Sequence, residues 1–130
     1  MSLYIGVFDG DREIDGWVFG RYSDFGLFRD YVRRLAGDGF PTLLSASDAT
    51  TIWSPIQSGT LRAEIAEVRR RLAAAPAVKL ERGFEHTKAY RATARSAAEC
   101  FHNVDGENLF DALDALCAIS ISGGHPIVFQ

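Results

Sequence analysis

The chain has 130 residues, 47% of them apolar and 24% charged, with a formal net charge of -3. Those proportions belong to a globular domain that buries its own core, and the acidic balance argues against a nucleic-acid binder, which carries a basic excess. There is no run of about 18 apolar residues to span a membrane, and no basic flank followed by an apolar core to act as a secretory signal.

The elements are expected as follows, in chain order. Residues 3–8 are rich in β-formers and read as a first strand. Asp9-Gly10-Asp11 supplies a turn, and residues 14–19 return as a hairpin partner with Gly16 as a bulge. Asp9, Asp11, Glu13 and Asp15 make this turn acidic. Their offsets do not match a calcium loop, so the cluster reads as a solvated rim and not as a metal site. Ser23 is placed as the N-cap of a helix over 24–36, with Phe25, Phe28, Val32 and Leu35 on its apolar stripe and Gly37 as its stop. Residues 40–45 read as a third strand opened by Pro41, and 47–51 as a polar loop. Ser54-Pro55 then announces a second helix, N-cap followed by proline at the first helical position, buried along Leu61, Ile65, Val68 and Leu72. Arg69, Arg70 and Arg71 point three ways around that helix behind two glutamates, which describes a solvated helix end.

Residues 77–96 show no clean period. Val78 and Leu80 suggest a short strand, and 85–95 has only a helix-compatible composition. Residues 99–130 are much clearer. Cys100, Phe101 and Val104 suggest a strand, Asp105-Gly106 a turn, and Leu109, Leu113 and Leu116 a third helix covered on most sides. Gly123-Gly124 and Pro126 end it, and Ile127-Val128-Phe129 is a continuous apolar strand suited to the inside of a sheet. The expected fold is a single α/β (α+β) domain over 1–130, a mixed β-sheet packed with about three main helices.

Catalytic chemistry is hard to find in these residues. The three histidines form no metal motif and no nucleophile elbow is present. Cys100 and His102 would share a strand face and could form a nucleophile pair, but the region is acidic, and buried free thiols are the simpler reading for Cys100 and Cys117. The aromatic residues are more suggestive. Trp17 and Trp53 adjoin polar loops carrying Asp15 and Asp48, and an exposed aromatic beside carboxylates anchors a basic protein partner.

Several blocks, in order, resemble the bacterial immunity protein 70 family: Tyr22-Ser23-Asp24-Phe25, Phe40-Pro41, Ser47-Asp48, Trp53-Ser54-Pro55, Cys100-Phe101 with Val104, Gly106-Glu107 with Leu109, and Pro126-Ile127 with Phe129-Gln130. The resemblance implies a cytoplasmic antidote in a polymorphic toxin system. Such a protein is not an enzyme, needs no cofactor and no metal, and binds and neutralises a cognate toxin domain. Nucleic acid and membrane are not expected partners, and a homo-oligomer is left open. The contact residues expected on that basis are Asp9, Asp11, Asp15, Trp17, Asp48 and Trp53. The alternatives are a small adaptor or ligand-sensing α/β domain and, behind it, a hydrolase using Cys100 and His102.

Overall fold

A computed structural model describes residues 2–47, 50–80 and 82–130. The first two strands, β1 (Ser2–Asp9) and β2 (Arg12–Arg21), form the hairpin expected from the Asp9-Gly10-Asp11 turn, with Gly10 at a φ of 60°. The register slips by one residue at two places, leaving Phe19 and Ile14 as the extra residues. The bulges therefore fall at those positions and not at Gly16, which pairs squarely with Gly6.

Helix α1 (Tyr22–Ala36) starts two residues earlier than Ser23 would place it. The reason lies in Asp24. Its carboxylate reaches back to accept the Arg21 N–H at 2.9 Å, so Arg21 occupies the cap position. The other oxygen of the same carboxylate accepts the Phe84 N–H at 2.8 Å, which pins a distant loop to the helix start. At the far end, Gly37 closes the helix at a φ of 93°.

Residues 40–45 do not form a strand. Pro41–Leu44 is a short helix, α2, with Pro41 at its first position. Pro41 has no N–H to satisfy, and the next two donors, Thr42 and Leu43, are taken by the carboxylate of Glu64 at 3.2 and 3.0 Å. An acceptor from another helix thus decides the conformation of an apolar run whose period is ambiguous.

Strand β3 (Ile52–Trp53) leads into helix α3 (Pro55–Ala73), where Ser54 accepts the Gln57 N–H and Gln57 returns the bond to the Ser54 N–H. Its buried face is Ser58, Leu61, Ile65, Val68 and Leu72. Val78 and Leu80 lie in no strand, and 85–95 yields only a 3₁₀ turn (Glu85–Thr87) and a four-residue helix, α4 (Lys88–Arg91). Cys100 to Val104 is not a strand either: one isolated bridge joins His102 to Asn108, after a 3₁₀ turn at Ala97–Glu99. Helix α5 (Leu109–Gly123) is capped by the Asn108 side chain and closed by Gly124 at a φ of 70°. It runs antiparallel to α3, joined by a buried Ser58–Ser120 hydrogen bond of 2.9 Å and by surface ion pairs from Arg62 to Asp114 and from Arg69 to Asp111.

Strand β4 (Ile127–Phe129) inserts between β1 and β3, giving the order β2-β1-β4-β3. The α+β class and the three long helices agree with the sequence expectation; each strand pairing is antiparallel, so the sheet is not mixed. The helices cover one face of it. Leu3, Ile5, Val7, Trp17, Phe19, Trp53, Ile127 and Phe129 point to that face and are buried. On the other face the rings of Tyr4 and Phe8 lie over the sheet. A Cβ on Gly6 would come within 2.9 Å of Tyr4 and 3.0 Å of Phe8, and one on Gly16 within 2.7 Å of Tyr4 Cζ.

Asp24→Ala leaves one buried backbone donor, at Phe84, and one part-buried donor, at Arg21, without an acceptor and is expected to cost about 2–4 kcal/mol in urea unfolding. Gly16→Ala forces the Tyr4 ring off the sheet, and the same measurement is expected to show a loss of about 1–3 kcal/mol.

Candidate functional site

The β1–β2 turn brings Asp9, Asp11 and Asp15 together at one tip of the sheet, all exposed. Asp9 pairs with Arg12 at 3.3 Å, and Asp15 turns back to accept the Gly16 N–H at 2.9 Å. The His125 ring lies 3.9 Å from Asp9. An exposed pair such as Asp9–Arg12 contributes little to stability, so the carboxylates are free to serve as a field. Among the described residues, no group of three or more His, Cys, Asp or Glu side chains converges as a metal site.

The tryptophans are placed differently from the expectation. Trp17 stands opposite Ile5 on the helix-covered face and is 7% exposed; Trp53 meets the Phe129 ring edge-on at 4.9 Å and is 3% exposed. Neither is an exposed aromatic beside carboxylates. The side chains follow the strand register into the core, which adjacency to a polar loop does not reveal. Trp53 also lies on the opposite edge of the sheet from Asp9, Asp11 and Asp15. Asp48 lies outside the described residues.

Cys100 and His102 do not form a reactive pair. The strand that would have aligned them is absent, and the Cys100 thiol is directed at the carbonyl oxygens of Ser96, 3.4 Å away, and Val78, 3.8 Å away. Burial pushes its pKa up, the reverse of what an activated thiol needs. His102 is buried against Tyr90, with ring centroids 5.0 Å apart. Burial first, then the charges of His86 and Arg91, pull its pKa down. Cys117 is deeper still, its thiol pushed up to about 12 by burial and by Asp114.

A cleft of about 780 Å³ opens between the start of α1 and the loop around Gly83, with Arg21, Asp24, Asp30, Arg82 and His86 among its lining. Two of its polar groups, Asp24 and His86, are already engaged in holding the fold. Both Asp24 oxygens accept backbone N–H groups, and His86 Nε2 lies 3.0 Å from the His102 carbonyl oxygen. The ligand-sensing alternative asks for polar groups converging on a pocket with bonds to spare, and Asp24 and His86 have theirs occupied. The three consecutive arginines near the end of α3 are also engaged: Arg69 with Asp111, Arg70 and Arg71 with Glu67.

The class these features define is a small α+β protein with shielded thiols and an acidic tip at one end of its sheet. Residues 3–129 match the family model described as Immunity protein 70, and the chain belongs to that family. No curated protein and no solved structure matches it. No helix among the described residues is long and apolar enough to cross a membrane.

Because both thiols are buried and their protons held, a thiol-specific aromatic disulfide at pH 8 is expected to leave the folded protein unmodified and to titrate Cys100 and Cys117 only after unfolding. Rapid labelling of Cys100 in the folded protein would contradict this geometry.

Proposed function

We propose that this protein is the cytoplasmic antidote to a toxin of its own bacterium, and that it acts as a single domain over 1–130 by binding the toxin domain and holding it inactive, without chemistry of its own. The observation that carries the reading is the family match over residues 3–129. Two features of the molecule support it. Cys100 and His102, the best nucleophile candidates in the sequence, are buried apart from one another's task. The hairpin end carries the exposed carboxylates of Asp9, Asp11 and Asp15, which suit a basic partner.

The test is co-expression with the toxin domain encoded beside its gene. Growth is expected to be restored, and the two purified proteins are expected to co-elute. Replacing Asp9, Asp11 and Asp15 together with Asn is expected to slow association about tenfold at low salt, because the tip steers the encounter. The difference should fade as salt shortens the reach of the charges. If no neighbouring domain is toxic, or none is bound, the antidote reading falls.

A further inference from the structure

An antidote that works by contact needs a surface with something to bury, and the acidic tip alone offers only charge. The helix-free face of the sheet offers the rest. Directly opposed residues of neighbouring strands share a face, so the register maps this side without ambiguity. Tyr4 stands opposite Val18 on β2, and exchanges backbone hydrogen bonds of 2.9 and 2.8 Å with Gln130. Gly6 stands between Gly16 and Val128, and Val128 in turn opposes Ile52 on the outer strand. Phe8 stands opposite Glu13, and its N–H is given to the Pro126 carbonyl.

An antiparallel sheet with one face in water ordinarily alternates, apolar inward and polar outward. Here the central outward positions remain apolar, with Glu13 and Gln130 at the margins. Tyr4, Phe8, Val18 and Val128 are half-buried, and Ile52 is 59% exposed. None of the five belongs to the buried core or packs against it. The two rings lie flat because Gly6 and Gly16 have no Cβ to lift them. The result is a level platform and not a row of projecting side chains. Outward positions about 7 Å apart carry it roughly 14 Å along β1 from Tyr4 to Phe8, and strands about 4.8 Å apart carry it roughly 10 Å sideways from Gly6 through Val128 to Ile52. That is the size of an interface core, and a polar rim would complete a standard interface. The rim on this face begins at Glu13, opposite Phe8, with Asp11 just beyond it in the turn; Asp15, opposite Val7, and Asp9 belong by register to the other side of the same hairpin end.

We propose that this helix-free face, centred on Tyr4, Phe8 and Val128 and flanked by Val18 and Ile52, is where the toxin domain docks, and that the toxin meets it with an apolar patch bordered by Lys or Arg at the hairpin end. The proposal rests on the antidote reading and says which surface executes it. Charge complementarity selects the occupant. A second copy of this chain would bring its own carboxylates, and Arg12, the arginine beside the turn, is already paired with Asp9. A basic partner gains from the same carboxylates that repel a copy.

The deciding experiment measures binding of the toxin domain encoded beside the gene by calorimetry, with sedimentation of the free protein alongside. Ile52→Lys and Val128→Lys are expected to weaken binding about 30-fold or more, the loss typical of a charge placed in an interface core. Ile121→Lys, an equivalent change at an exposed position of α5 on the helical side, is expected to stay within about twofold. Should Val128→Lys fail to fold, Ile52→Lys decides alone, since most of its side chain is already in water. Wild-type strength in Ile52→Lys, or a larger loss in Ile121→Lys, would overturn the docking face and leave the antidote reading standing. A wild-type protein that does not bind the toxin at all would overturn both. A free dimer that Ile52→Lys splits without harm to toxin binding would assign the face to a second copy instead.

Discussion

A relay of aromatic edges holds this molecule together. Trp53 meets Phe129 at 4.9 Å, Phe129 meets Phe25 at 5.2 Å, Phe25 meets Phe19 at 5.2 Å, and Phe19 continues to Phe28 and Phe84. Phe28 and Phe84 both close on Phe101 at 5.3 Å. The rings come from three strands, α1 and two loops far apart in sequence, and most meet edge to face, the arrangement that their quadrupoles favour. Two loops with no regular structure of their own, around Phe84 and Phe101, acquire fixed positions by supplying one ring each. The Asp24 carboxylate secures the first of them a second time through the Phe84 N–H.

Because the relay lies wholly on one side of the sheet, the architecture is two-layered, and its asymmetry leaves chemistry of two kinds in two places. Both thiols and His102 are drawn inward, where burial shifts them away from their charged or nucleophilic forms: Cys117 and Cys100 by desolvation, His102 by desolvation beside His86 and Arg91. Three accessible carboxylates, Asp9, Asp11 and Asp15, stand at the hairpin end, and Ile52, Val128, Tyr4, Phe8 and Val18 give the uncovered side of the sheet an apolar character. An arrangement with an uncovered, partly apolar sheet face agrees with membership of an immunity protein family.

The sequence revealed those parts that are governed locally. Helical stripes located α1, α3 and α5; Ser54-Pro55, Gly37 and Gly124 marked their ends because caps depend on the residues nearby. What escaped was governed from a distance. Glu64 makes a helix of Pro41–Leu44, and nothing in that tetrapeptide says so. Asp24 moves the start of α1 back to Tyr22 by bonding upstream, where Ser23 looks like the better cap. Residues 77–96 carry no period because their order comes from the bonds that Asp24 and the Leu80 carbonyl offer them. The tryptophans misled through their neighbours: proximity to a loop along the chain says little about which side of a strand a ring occupies. A signal for the uncovered sheet face was present all the same. Residues 3–8 are apolar or glycine at both parities, and so are 127–129, where a strand with one wet side should alternate.

The position of β4 has a bearing on how the molecule comes into being. This strand separates β1 from β3, yet it follows every other element in the chain. While a ribosome is still making α5, the first hairpin has no partner on its inner edge, and Trp53 has no Phe129 to meet. Pairings that join such remote segments are slow to form and leave sticky edges open meanwhile. The flat face that spans all four strands therefore comes into existence in one late step, when Ile127 to Phe129 slide into the gap, and a nascent chain has nothing of the kind to present.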